Sequence, residues 1–228
     1  NVDGCVNRQN TSRVNQDGPE LFGFRANGRN LDLNRDFIKC DSLAAQVFNQ
    51  FFSAWSPDVM VDTHTSNGAD YFYTMTLIQT QADKLGKELG SFLRDSMLPK
   101  IYQDMEARGW PTCPYVNPVK ETPDDGIEDF LEVPRFSTGY AALHHTIGFM
   151  PETHMLKPFA ERYASMRALV EVVLEFTIKN SEKIQALRAA EKKLAAEKTH
   201  WPVQWKADHG KPSSFRFKGY QAIYSPSK

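Results

Sequence analysis

Cysteine is scarce in this chain: Cys5, Cys40 and Cys113 are the only three in 228 residues, and no two of them form a Cys-x-x-Cys pair. An odd number at wide spacing leaves at least one thiol unpaired, which argues against both a disulfide framework and a cysteine metal knuckle. Long apolar runs are missing too. Ala168-Leu169-Val170 and Val172-Val173-Leu174 are split by Glu171, far short of the roughly 20 apolar residues that a membrane span needs. Nor is there an excess of charge, since 27 Lys and Arg stand against 28 Asp and Glu for a formal net charge of -1. No global field draws the chain to nucleic acid or to an anionic membrane surface, and neither partner is expected. The opening, Asn1-Val2-Asp3-Gly4, has neither an initiator methionine nor a signal peptide, so the sequence is expected to be a piece of a longer parent.

What is present suits a globular fold. Apolar residues make up 41% of the chain, enough to bury a core, and the length fits one large domain or one domain with an appendage. Residues 1 to 35, rich in Asn, Arg, Gly and Asp, read as a long ordered loop region, the kind of segment that carries function. Leu43, Ala44, Val47, Phe48, Phe51, Phe52 and Trp55 recur at helical steps behind Asp41 or Ser42 as N-cap, predicting a helix ended by Ser56-Pro57. The run Asp58 to His64 reads as a buried strand, and Tyr71 to Leu77 as a second. A long helix is expected from about Gln81 to Ala107, closed by Gly109, and loops with five prolines over 111 to 139.

Ile147 to Met150 then reads as a core strand that delivers Pro151-Glu152-Thr153, followed by a helix from about Pro158 to Lys179. Residues 180 to 199, rich in Ala, Glu and Lys, read as a solvated helical connector. The aromatic tail, 200 to 228, has strand-like composition and reads as the start of a C-terminal appendage. The order of strands and helices gives an α/β class with a mixed, largely parallel central sheet flanked by helices.

Three places carry chemical potential. In Asp62-Thr63-His64, side chains two apart share a strand face, so an acid and a histidine meet at a strand end, suited to metal binding or proton transfer or simply to an internal hydrogen bond. In Met150-Pro151-Glu152, burial beside an apolar strand would raise the carboxyl pKa toward the range of a general base, although a helix-capping role is equally consistent. In Arg25 to Arg35, guanidinium forks in a glycine-containing loop suit planar recognition of a carboxylate, against the plainer reading of surface ion pairs with Asp32 and Asp36. The adjacent His144 and His145 point different ways on any regular element and read as structural. His154 follows Glu152 by two residues and can share its face.

Taken together and in this order, these pieces resemble the zinc carboxypeptidases. Asn1-Val2-Asp3-Gly4 is similar to the family's Asn-Pro-Asp-Gly turn, and Leu31-Asp32-Leu33-Asn34-Arg35 to its Asp-x-Asn-Arg motif. Asp62-Thr63-His64 resembles the strand with the last zinc ligand, and Pro151-Glu152-Thr153 the strand end with the general base. The resemblance covers about residues 1 to 178. It implies one zinc ion with His64 as a ligand, Glu152 as the base that deprotonates the zinc-bound water, and Arg25 as the group that offsets the charge of the tetrahedral intermediate. It further implies that Asn34 and Arg35 clamp the substrate carboxylate, that Asp32 orients a ligand histidine from behind, and that Tyr140 is a mobile tyrosine capping the substrate. The family's His-x-x-Glu motif, which supplies the other two ligands, occurs nowhere in this sequence, and is expected in the missing part of the parent. The division expected is a catalytic domain to residue 179, the connector to 199, and the appendage.

The implied substrate is a peptide, or a peptidoglycan stem peptide, with a free terminal carboxylate. Two rivals share the motifs: an N-acyl amino acid amidohydrolase of the aspartoacylase type, whose Asp-Leu-Asn-Arg motif is similar, and a catalytically dead domain that binds peptide C-termini. The residues themselves leave the location unknown; the family analogy alone points to a secreted or periplasmic one.

Overall fold

The computed structural model describes residues 17–20, 23–68, 70–210, 212–221 and 223. The expected Asn1-Val2-Asp3-Gly4 turn and Cys5 lie outside the described residues.

Helix α1, Leu43–Trp55, starts where the sequence places it. The Ser42 hydroxyl accepts from the Ala45 N–H at 3.0 Å, and the Asp36 carboxylate behind it receives the Ser42 hydroxyl at 2.6 Å and the Asp41 and Ser42 N–H groups at 2.9 Å. Burial works against that charge, but these donors hold Asp36 below the usual carboxylate range. Ser56, left-handed at φ 45°, ends the helix ahead of Pro57.

Five strands form one sheet: β1 (Val59–Val61), β2 (His64–Ser66), β3 (Met75–Gln79), β4 (Thr112–Pro114) and β5 (Ile147–His154), in the order β1-β5-β3-β4 with β2 also on β5. The single strand expected over Asp58 to His64 is two short ones in line, breaking at Asp62-Thr63. Both run parallel to β5, β1 pairing Ile147 to Phe149 and β2 pairing Glu152 to His154. β3 lies antiparallel to β5 and parallel to β4. This is the mixed, largely parallel α/β sheet the sequence predicts.

Alternation along the strands sorts the two faces. Val59, Val61, Met75, Leu77, Ile147 and Phe149 face a core made with Leu89, Leu93, Met97, Ile101, Leu169 and Val173. Met60, on the opposite face, packs with Phe48, Phe52, Tyr140 and Ala141. Helices therefore cover both faces. Each fully buried large aliphatic side chain contributes about 1.5–3 kcal/mol.

The helix expected from Gln81 to Ala107 is more broken than its apolar spacing suggests. A single tight turn at Ala82–Lys84 stops at Gly86, whose φ of 95° suits glycine, and α2 begins at Lys87. α2 (Lys87–Phe92) passes through a π-helical turn, Leu93–Met97, into α3 (Leu98–Ala107). Pro99 supplies the reason, because it has no N–H for the Asp95 carbonyl and its ring crowds that carbonyl, so the turn widens. The second strand is shifted from Tyr71–Leu77 to Met75–Gln79, since Tyr71 and Tyr73 are drawn away to pack against Phe217.

Residues 111 to 139 are not all loop. They contain β4, tolerated with Pro114 because it is an edge strand, and the start of α4 (Ser137–Leu143). α5 (Phe159–Lys179) follows β5 as expected. The charged helix α6 (Ser181–Ala196) is helical but not solvated all round: Ile184, Arg188, Glu191 and Ala195 are buried on one face. Glu191 accepts the Glu88 N–H at 2.8 Å, and Arg188 donates to the His145 and Ser56 carbonyls at 2.7 and 3.1 Å and pairs with Asp58. The described part of the tail forms no helix or strand; Phe217 and Lys218 dock on Tyr73. Among the described residues no helix is long and apolar enough to cross a membrane.

Candidate active site

The sheet face that carries Met60 also carries Asp62, His64 and Glu152, two-residue steps along β1, β2 and β5. His64 sits directly opposite Glu152 in the β2–β5 register, and Thr76 of β3 lies on the other side of Glu152. Residues 88 apart in sequence are thus brought to adjacent positions across two parallel strands.

His64 Nε2 and Asp62 Oδ2 are 2.9 Å apart. Burial favours neutral forms of both, but the partnership prevails: the imidazole pKa is raised by Asp62 and then by Glu152, and the Asp62 carboxyl is lowered by His64 and Ser137. An acid on Nε2 fixes the ring and turns the lone pair to Nδ1, the arrangement in which histidine serves as a metal ligand. That is one ligand, whereas a catalytic zinc takes three protein ligands and an open position. Among the described residues no group of three His, Cys, Asp or Glu side chains is placed to hold a metal ion. The fit to zinc is therefore a fit of His64, Asp62 and Glu152 only.

The Arg25 to Arg35 segment is folded by its own polar side chains. Asn27 Oδ1 accepts the Arg29 and Leu31 N–H groups at 3.0 Å, and Asp32 Oδ1 accepts the Asn34 N–H at 3.0 Å, capping a tight turn at Leu33–Arg35. The other Asp32 oxygen holds Arg25 Nε at 2.8 Å. Asp32 meets no histidine among the described residues; the acid behind His64 is Asp62. Arg25 nevertheless lies within electrostatic reach of His64, and Arg35 within reach of Arg25, Asp32 and Glu132. The Arg35 guanidinium stands 4.5 Å over the Phe136 ring and donates to the Asn34 carbonyl at 2.7 Å. Partial burial, with Arg25 and Arg135 nearby, lowers its pKa. Beside it, Asn34 Oδ1 is buried without a hydrogen-bond partner among the described residues.

Tyr140 is not where a mobile capping residue belongs. It is 3% exposed, its hydroxyl donates to Asn49 Oδ1 at 2.6 Å, and its ring packs against Phe37, Phe48 and Phe52. The α4 helix turns it into the α1 core, because burying an aromatic ring with a partner for its hydroxyl outweighs leaving it in solvent. His144 packs edge-on against Phe52 and tilted against Tyr140, and His145 Nδ1 lies 3.1 Å from the Leu85 carbonyl, so both rings have structural partners. His154 is buried, accepts the Leu156 N–H at 3.2 Å and packs on Tyr71.

Sequence reasoning missed Glu132. It comes from the proline-rich stretch, reads there like its acidic neighbours Glu128 and Asp129, and is 0% exposed. Its Oε2 accepts the Thr138 N–H at 3.1 Å at the start of α4. Burial above all pushes its pKa up to about 7, against the Thr138 and Gly139 N–H groups that stabilise the charge, with Asp62 adding to the rise and His64 opposing it. The one sequence signal is position, an acid flanked by Leu131 and Val133 five residues before the start of α4. Tyr115, beyond β4, also lies within electrostatic reach of Glu152.

No family model matches the chain, and no curated protein matches its sequence. Among solved structures, it is similar to a metallo-carboxypeptidase from Pseudomonas aeruginosa in complex with (2-guanidinoethylmercapto)succinic acid, with 12% identity and a TM-score of 0.49. The likeness covers 74% of this chain and 44% of that one, so the chain spans less than half of that enzyme's length.

Proposed function

We propose that this chain contributes the carboxylate-binding and proton-transfer groups of a zinc-dependent metallocarboxypeptidase, which hydrolyses a peptide bond next to a free C-terminal carboxylate. The observation that carries the reading is the convergence of the sequence motifs: His64 faces Glu152 across paired strands, with the Arg25 to Arg35 loop in electrostatic reach of both His64 and Glu132.

In this reading Asn34 and Arg35 receive the terminal carboxylate, the guanidinium donating two parallel hydrogen bonds and the carboxamide a third. Holding the carboxylate there sets the last peptide bond over Glu152 and His64, so that proximity selects an exopeptidase cut. Arg25, kept in place by Asp32, offsets negative charge as it develops on the carbonyl oxygen. Glu152 takes a proton from the attacking water and returns it to the leaving amine. Asp62 keeps His64 oriented with Nδ1 outward. Zinc, when bound, supplies Lewis acidity and brings the pKa of its water toward about 7. The remaining two ligands are assigned to residues outside those described.

The test is zinc content by elemental analysis together with turnover of N-blocked dipeptides, for the protein and its Glu152→Gln variant. About one zinc per chain, with turnover that collapses in the variant while zinc stays, supports the reading. Turnover of N-acyl amino acids in preference to peptides would move it to the aspartoacylase type. A second reading is a domain that uses Arg25, Asn34 and Arg35 to bind peptide C-termini without cutting them. It predicts peptide binding without zinc dependence.

A further inference from the structure

Helix α1 carries no charged residue in any of its 13 positions, Leu43 to Trp55. A surface helix ordinarily sets charge on the face away from its core, whereas the centre of an interface is poor in charge and rich in aromatic side chains. The inner face of α1 is accounted for: Phe48 and Phe52 pack with Met60 and Tyr140, and Asn49 accepts the Tyr140 hydroxyl. Its outer face is a single row. Leu43, Val47, Phe51 and Trp55 follow one another at four-residue steps and are 71, 55, 52 and 74% exposed among the described residues, with the Phe51 and Trp55 rings 4.8 Å apart.

Helix α5 shows how this chain treats a solvated face. It too exposes Tyr163, Leu174 and Ile178, but Arg167, Glu171 and Glu175 stand among them in ion pairs with one another and with Arg108. No such charges interrupt the α1 row, and a lipid surface is a poor occupant for a helix with neither Lys nor Arg.

Area and charge point instead to a second copy of the chain. At about 150–250 Å² for a whole large side chain, the exposed fractions leave roughly 400–600 Å² open on one copy. Two copies face to face then cover on the order of 1,000 Å², the scale that a specific interface needs. Rows of residues four apart pack against their like, so the face is complementary to itself, as a two-fold interface requires. With the helices antiparallel, Asp41, exposed beside Lys39 at the N-terminal end, meets the C-terminal end of the other copy, where Lys192 donates to the Ser56 hydroxyl at 2.9 Å. The two-fold axis makes that match of opposite charges twice, and the helix dipoles oppose. We propose that two copies of this chain pair through the α1 row, antiparallel about a two-fold axis. The pairing does not depend on the peptidase reading, because the row lies on the side of α1 away from Met60 and the sheet.

The experiment is sedimentation velocity on the protein from about 1 to 300 µM, the range in which an interface of this small size dissociates. The native chain passes from monomer to dimer across it. Phe51→Glu buries an unpaired charge at the middle of the row and weakens pairing by roughly tenfold or more. The position is exposed, so far-ultraviolet circular dichroism stays as in the native chain. Asp41→Lys weakens pairing several-fold, and adding Lys192→Asp restores it. A native chain that stays monomeric throughout overturns the proposal, whether the row is solvated or covered by another segment of the same chain. A dimer insensitive to Phe51→Glu overturns it as well, and so does one that Lys192→Asp fails to restore. Should Phe51→Glu disturb the fold, Val47→Lys, one turn earlier on the row, takes its place with the same expectation.

Discussion

Glu132→Gln tests the burial of the acid under the start of α4. In the folded chain the carboxyl pKa rises from 4.5 to about 7, chiefly because burial disfavours the charge. Below pH 4.5 the group is protonated in both states and costs nothing. Between 4.5 and 7 the unfolded chain releases the proton and the folded chain keeps it, so stability falls as pH rises, by about 1.4 kcal/mol per pH unit. Above 7 the loss levels off at about 3 kcal/mol. The Gln variant has no such titration and still accepts from the Thr138 N–H through its carboxamide oxygen. Urea unfolding of both proteins from pH 4.5 to 8.5 is therefore expected to show the variant gaining on the native chain across this window, by up to about 3 kcal/mol at pH 8. A stability difference that stays flat with pH would show that Glu132 ionises as freely as an exposed glutamate, and the reading of a costly buried carboxylate would go with it.

Other outcomes follow from the same geometry. Tyr140→Phe removes the hydroxyl bond to Asn49 and is expected to lower stability by about 1 kcal/mol with no change in KM or kcat; a capping tyrosine would instead raise KM. Arg188→Ala strips α6 of its bonds to the His145 and Ser56 carbonyls and leaves Asp58 without its partner, and should cost about 3 kcal/mol or more in chemical denaturation. Arg35→Ala should weaken binding of a peptide acid by roughly tenfold or more and leave its amide unaffected, as read by calorimetry. Chelation of zinc should abolish turnover but leave carboxylate-dependent binding in place, since Asn34 and Arg35 do not depend on the metal.

The sequence by itself determined a good deal. Apolar periodicity located α1 and α5, because a helix that buries one face must repeat every three to four residues, and Ser42 marked the start of α1 by its capping chemistry. The β-branched run before His64 and the apolar run before Glu152 marked the strands, and the Arg25 to Arg35 loop advertised itself by residues that fold a turn through their own side chains. What the tertiary structure decided was pairing and burial. Only the β2–β5 register brings His64 to Glu152. Tyr140 and Glu132 were placed by the same long-range burial: a tyrosine in a promising motif was claimed by the aromatic core of α1, and an acid in a proline-rich stretch was buried under the start of α4. Likewise α6 looked solvated because its buried positions include Arg188 and Glu191, whose partners are groups more than 40 residues away. Burial of a charged side chain depends on what faces it across the fold, and that information is long-range by nature.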